Sequence, residues 1–118
     1  MKILIAGEVD FPLENRAAAL AGVQALIDMA LAEQGCQQYA WTADPYDAGR
    51  VDVFEEWDCA QDLQVHLDGA AYRGMLEHLG GYSILNAKTR KYHVDLSEPV
   101  YGLDGVATAT FLTTKDNA

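Results

Sequence analysis

The stretch Arg50 to Tyr72, RVDVFEEWDCAQDLQVHLDGAAY, holds a carboxylate, an imidazole and two aromatic rings: Glu55, His66, Trp57 and Tyr72. An imidazole is the side chain best suited to take a proton near neutral pH, and a carboxylate within reach, such as Glu55, would assist it. Trp57 would hold a flat ring, and the Tyr72 hydroxyl would meet a polar group of the same ligand. Asn86, further along, would donate to a substrate oxygen. His66 is therefore the candidate catalytic base, and Trp57, Tyr72, Glu55 and Asn86 are the candidate binding residues. Each has a plainer reading. A lone His on an apolar helix face is often a hydrogen-bonded core residue, large aromatics dominate cores anyway, and Glu55 could be a buried acid paired with Lys88, Arg90 or His66. His78 and His93 read as surface or rim residues.

Other chemistries lack their residues. The sequence has no HExxH, no CxxC, no phosphate-cradling glycine loop and no nucleophile elbow. Cys36 and Cys59 stand apart from each other and from any His, as buried reduced thiols would. No metal and no organic cofactor are therefore expected. Eight basic against 18 acidic residues give a formal net charge of -10, which repels phosphate backbones and anionic membrane surfaces. Neither nucleic acid nor membrane is an expected partner. The start, MKILIAGEVDF, turns polar too soon for a signal peptide, and no apolar run approaches the ~20 residues of a membrane span. A cytoplasmic protein is expected.

The elements that must position these residues follow from periodicity. Ile3 to Val9 reads as a strand, and Pro12 marks the way into one helix from Leu13 to about Gln34, with Ala17, Leu20, Val23, Ile27, Ala30 and Leu31 inward and Glu33 outward. Gly35 supplies a left-handed stop. Cys36 to Ala43 is a second strand, and the turn Asp44 to Gly49 makes a hairpin with a third, along which Val51, Val53, Glu55 and Trp57 alternate with Asp52, Phe54, Glu56 and Asp58. Asp58 with Gln61 forms a capping box for a helix to about Leu67, a second helix runs from Ala70 to Leu79, and Gly80-Gly81 ends it. A long fourth strand spans Ile84 to about Leu96. Val106 to Leu112 could add an edge strand or an arm, and the terminal TTKDNA should be loose.

Strand, helix, strand, strand, helix, strand is the α+β, ferredoxin-like split-βαβ order: helices on one face of a four-stranded antiparallel sheet. The division expected is a domain over residues 1–98 and a C-terminal arm over 99–118. The other sheet face carries apolar groups too, including Phe54 or the Tyr39 and Trp41 pair, and the same face of a second copy would cover it. That predicts a homodimer, with Tyr39 and Trp41 lining a barrel between two sheets or the dimer interface.

Three segments carry a resemblance to a known family: GCQQYAW (Gly35 to Trp41), VFEEWDCAQDLQVHL (Val53 to Leu67) and YRGML (Tyr72 to Leu76). With Glu55-x-Trp57 followed nine residues later by His66, the chain from Ile3 to Leu96 resembles the antibiotic biosynthesis monooxygenase domains, dimeric α+β barrel proteins that include cofactor-independent oxygenases. A haem-degrading branch is less similar. It has an Asn on the first strand, a Trp where His66 stands and a haem-binding His near Leu76, whereas the first strand here has no Asn and His78 lies about 200° around the helix from Leu76. The resemblance implies a cofactor-independent monooxygenase acting with dioxygen on a small aromatic phenol, quinone or polyketide-like compound. A non-catalytic dimeric binding module and a proton-transfer isomerase are the alternatives on the same fold.

Overall fold

Alternation along the third strand places Val51, Val53, Glu55 and Trp57 in the interior and leaves the residues between them half-buried, so the strand is central to a sheet covered by helices on one face. A computed structural model describes residues 1–113. Its elements are β1 (Lys2–Asp10), α1 (Arg16–Ala21), α2 (Gln24–Leu31), β2 (Cys36–Ala43), β3 (Arg50–Trp57), α3 (Ala60–Leu67), α4 (Ala70–Gly80) and β4 (Asn86–Val94). The sheet order is β2-β3-β1-β4 with all neighbours antiparallel, which is the ferredoxin-like arrangement of the α+β class.

The register decides which side chains share a face. Tyr39 pairs with Glu55 and Trp41 with Val53 across the hairpin, while Ile5 lies opposite Glu55 and Lys91. Tyr39 and Trp41 therefore face the helices together with Val53, Glu55 and Trp57. Phe54, paired with Ala6 and Ala40, belongs to the opposite face. The hairpin loop is held by the Asp44 carboxylate, which accepts the backbone N–H groups of Tyr46 and Asp47, and by Arg16, whose guanidinium donates to the carbonyls of Asp44, Asp47 and Arg50.

Local details depart from what the sequence predicts. The single helix from Leu13 to Gln34 is two, because His78 Nε2 donates to the Ala19 carbonyl at 2.8 Å. In an unbroken helix that carbonyl would accept from the Val23 N–H, which turns instead to Leu20. His78 is thus a half-buried pin between α4 and α1, not a rim residue. The Asp58–Gln61 capping box is absent. Cys59 is the N-cap of α3, and the Asp58 carboxylate accepts from Gln37 and lies 3.5 Å from the Lys2 ammonium. Gly35 does adopt φ +80°, but in the loop before β2 and not at the end of α2, which stops at Leu31. Gly80 and Gly81 end α4 as expected, with Gly81 as its C-cap.

Beyond β4 the edge-strand alternative is not taken. No strand forms over Val106 to Leu112; Tyr101 and Ala107 make one isolated bridge around the Gly102–Gly105 turn, and the Glu98 carboxylate accepts from the N–H groups of Leu112 and Thr113. Thr114 to Ala118, the greater part of the tail expected to be loose, lies outside the described residues. No helix among the described residues is long and apolar enough to cross a membrane.

Candidate functional site

His66 enters the interior because α3 starts directly after β3 and turns Leu63 and His66 toward the sheet. Its ring is 1 % exposed and lies among three aromatics, with centroids 4.6 Å from Trp57, 5.3 Å from Tyr39 and 5.7 Å from Tyr72. Beside it is a cavity of about 260 Å³ between the helix-side sheet face and α3 and α4. Buried Tyr39, Val53, Glu55, His66, Met75 and Leu79 line its inner end. Exposed Leu76, Ile84, Ala87 and Thr89 mark its mouth, on the β4 side. An apolar recess with a few convergent polar groups is the usual form of a small-molecule site.

The structure brings Glu55, His66 and Tyr72 to the cavity wall, and sets Trp57 behind His66, where its ring supports the imidazole without lining the space. Asn86 is not brought in. It is paired with Asp10 across the sheet and its amide donates to that carboxylate at 3.4 Å, while its neighbours Ala87 and Thr89 reach the cavity.

Glu55 does not pair with Lys88, Arg90 or His66 as expected. The Trp57 indole N–H donates to Glu55 Oε1 at 2.9 Å, since same-face neighbours two apart on a strand are adjacent and a buried indole needs an acceptor. The partner of His66 is instead Glu33, whose Oε1 lies 2.5 Å from Nδ1.

Burial sets the protonation of the cavity's acids. It pushes the Glu55 carboxyl above the usual carboxylate range, against smaller lowering effects of the Trp57 hydrogen bond and of His66. Burial, with Glu55 adding to it, raises the Tyr39 phenol well above its ordinary value. The Cys36 thiol is pushed up to about 11 by burial and by Glu55 and Glu33, so it is a poor nucleophile. Among the described residues no group of three or more His, Cys, Asp or Glu side chains is placed to hold a metal ion.

Glu55 carries a stability consequence of definite sign. Between the ordinary glutamate range and its raised folded value the folded state retains a proton that the unfolded chain has lost, so stability falls as pH rises through that window. Glu55→Gln keeps an acceptor for the Trp57 N–H and removes the titration. The variant is expected to be the more stable protein above that window and to converge with wild type on the acid side. Urea denaturation at a series of pH values measures this, and parallel stability curves would contradict it.

Sequence reasoning left Tyr39, Trp41 and Glu33 out of the site. For the first two a signal existed, because the six-residue loop Asp44–Gly49 sets odd-numbered residues of both hairpin strands on one face. For Glu33 there was none, since its place depends on where α2 ends.

Residues 3–78 match the sequence pattern of a family described as antibiotic biosynthesis monooxygenase. No curated protein matches the chain. Among solved structures, one from Deinococcus radiodurans, provisionally named an antibiotic biosynthesis monooxygenase, superposes with a TM-score of 0.75 at 19% identity, covering 86% of this chain and 100% of the other. A Mycobacterium tuberculosis protein gives 0.71 at 20% identity, covering 83% and 98%. A Bacteroides thetaiotaomicron protein named a possible oxidoreductase gives 0.68 at 21% identity, covering 77% and 95%. At these identities the superpositions speak to fold, and the family rests on the sequence match over residues 3–78. The chain belongs to the antibiotic biosynthesis monooxygenase family.

Proposed function

We propose that the protein is a cofactor-independent monooxygenase that oxidises a small, uncharged phenol, hydroquinone or polyketide-like aromatic with dioxygen. The observation that carries this is a buried imidazole, braced by a carboxylate, at the wall of an apolar cavity of about 260 Å³. His66 takes the phenolic proton. The resulting phenolate is electron-rich enough to reduce dioxygen itself, one oxygen atom ending in the quinone carbonyl and the other in water, so that a phenol and O₂ give a quinone and H₂O. Trp57 supports the base from behind, Tyr39 and Tyr72 offer hydroxyls to the substrate's oxygens, and the apolar walls keep water from the reactive anion.

The lining supports the choice of an uncharged substrate. It includes no Lys or Arg, and Glu55 lies within it, so a carboxylate or phosphate would enter without a counter-charge. A symmetric homodimer is part of the same proposal. Leu4, Ala6, Ala40 and Phe54 on the face away from the helices are all half-buried in one chain, and β4 is exposed along most of its length. Light scattering at micromolar concentration tests the dimer, and a monomer would remove that part.

The test of function is oxygen uptake by metal-free protein given an anthrone or hydroquinone, with a carboxylated analogue in parallel. Uptake with the neutral compound, and much less with the acid, is expected. Product formed under strict anaerobiosis would move the assignment to a proton-transfer isomerase. Binding without turnover would leave a sequestering module.

A further inference from the structure

We propose that Glu33 is the positioning residue of this site, a carboxylate that fixes the tautomer and ring orientation of His66 so that Nε2 carries the basic lone pair. The inference rests on the reading of His66 as a base. An ionised carboxylate can only accept a hydrogen bond, so with Glu33 Oε1 at 2.5 Å the proton of a neutral imidazole belongs on Nδ1. Nδ1 is thereby engaged, and Nε2 is the ring nitrogen left to meet a ligand in the cavity that His66 lines.

Glu33 is well placed for a fixed role. It lies in the loop between α2 and β2, where its N–H donates to the Ala30 carbonyl and its own carbonyl accepts from the Cys36 N–H. The Glu33 side chain is 24% exposed while the His66 side chain is 1% exposed, so the carboxylate keeps contact with water as it reaches an interior ring. The other titratable groups near His66 are Glu55 from β3, Tyr39 from β2 and Tyr72 from α4. Glu55 already accepts from Trp57, and the two tyrosines meet the ring edge-on, which leaves Glu33 to hold Nδ1. A base oriented by a third group is the arrangement that proton abstraction needs, and losing the orienting carboxylate allows the wrong tautomer.

The plain alternative is that Glu33 only ties the α2–β2 loop to α3. Glu33→Gln separates the two, because a carboxamide keeps a hydrogen bond to the ring but can donate it, which stabilises the tautomer with the proton on Nε2. In full-length protein labelled with ¹⁵N-histidine, with His66 assigned by its absence in His66→Gln, wild type is expected to show a protonated Nδ1 and Glu33→Gln a shift toward protonated Nε2. With a hydroquinone, kcat of the variant is expected to fall on the order of 10² while KM changes by less than about threefold. An unchanged ring signature, or full turnover, would overturn the proposal. If wild-type protein consumes no oxygen with any phenol, the oxygenase reading falls, while the nitrogen shifts still decide for or against Glu33.

Discussion

His66→Gln is expected to lower turnover of a neutral hydroquinone by about 10² to 10⁴ and to leave the fold in place, because general-base catalysis typically contributes that much. The amide still donates toward Glu33 and occupies much of the imidazole's space, but it cannot take a proton near neutral pH. His66→Ala provides the contrast. It empties the space between Trp57, Tyr39 and Tyr72 and strands the Glu33 carboxylate, so it should also cost about 1 to 3 kcal/mol of stability. Steady-state oxygen uptake and thermal unfolding on the same samples separate the effects. Full activity in a folded His66→Gln protein would remove His66 as the base and leave a ligand-binding cavity.

Gly7→Ala is expected to be the most damaging small substitution in the sheet, at roughly 3 kcal/mol or more. A Cβ at Gly7 would lie 2.0 Å from the Lys88 carbonyl oxygen and 2.7 Å from Thr89 Cα, so it meets backbone that cannot swing aside. Relief requires β1 and β4 to part where Gly7 pairs with Thr89. Ile5 and Val9 on one strand and Ala87 and Thr89 on the other line the cavity, so the same separation opens its wall. The expected result is a large drop in urea midpoint together with loss of turnover. A midpoint close to wild type would show that the sheet absorbs the contact.

The parts of this molecule that could be read from the sequence are those in which near neighbours along the chain decide the outcome. The period-two pattern from Val51 to Trp57 marks β3 and its buried face, and the run from Asp58 into an apolar helix puts His66 over that strand whatever residue caps it. What could not be read depends on residues brought together from far along the chain. The division of the first helix comes from His78, which takes the Ala19 carbonyl across 59 positions, and no periodicity near Gly22 shows it. The pairing of His66 with Glu33 spans 33 positions and needs the end of α2, which the pattern of small apolar residues there placed too late. Asn86 was misplaced by face: in the register of β4 it is its neighbours Ala87 and Thr89 that meet the cavity. Glu55 was placed on the correct face with the wrong partner, since the Trp57 N–H, two residues away on the same strand, reaches it first.

His66 is predicted to ionise a phenol bound in the cavity. The direct measurement is the absorption spectrum of a bound phenol under strict anaerobiosis, at a pH below the phenol's own pKa, where no oxidation competes. Wild-type protein is predicted to bring out the phenolate band on binding, and His66→Gln to bind the same compound with the spectrum of the neutral phenol. A neutral spectrum for the phenol bound to wild-type protein would contradict the account.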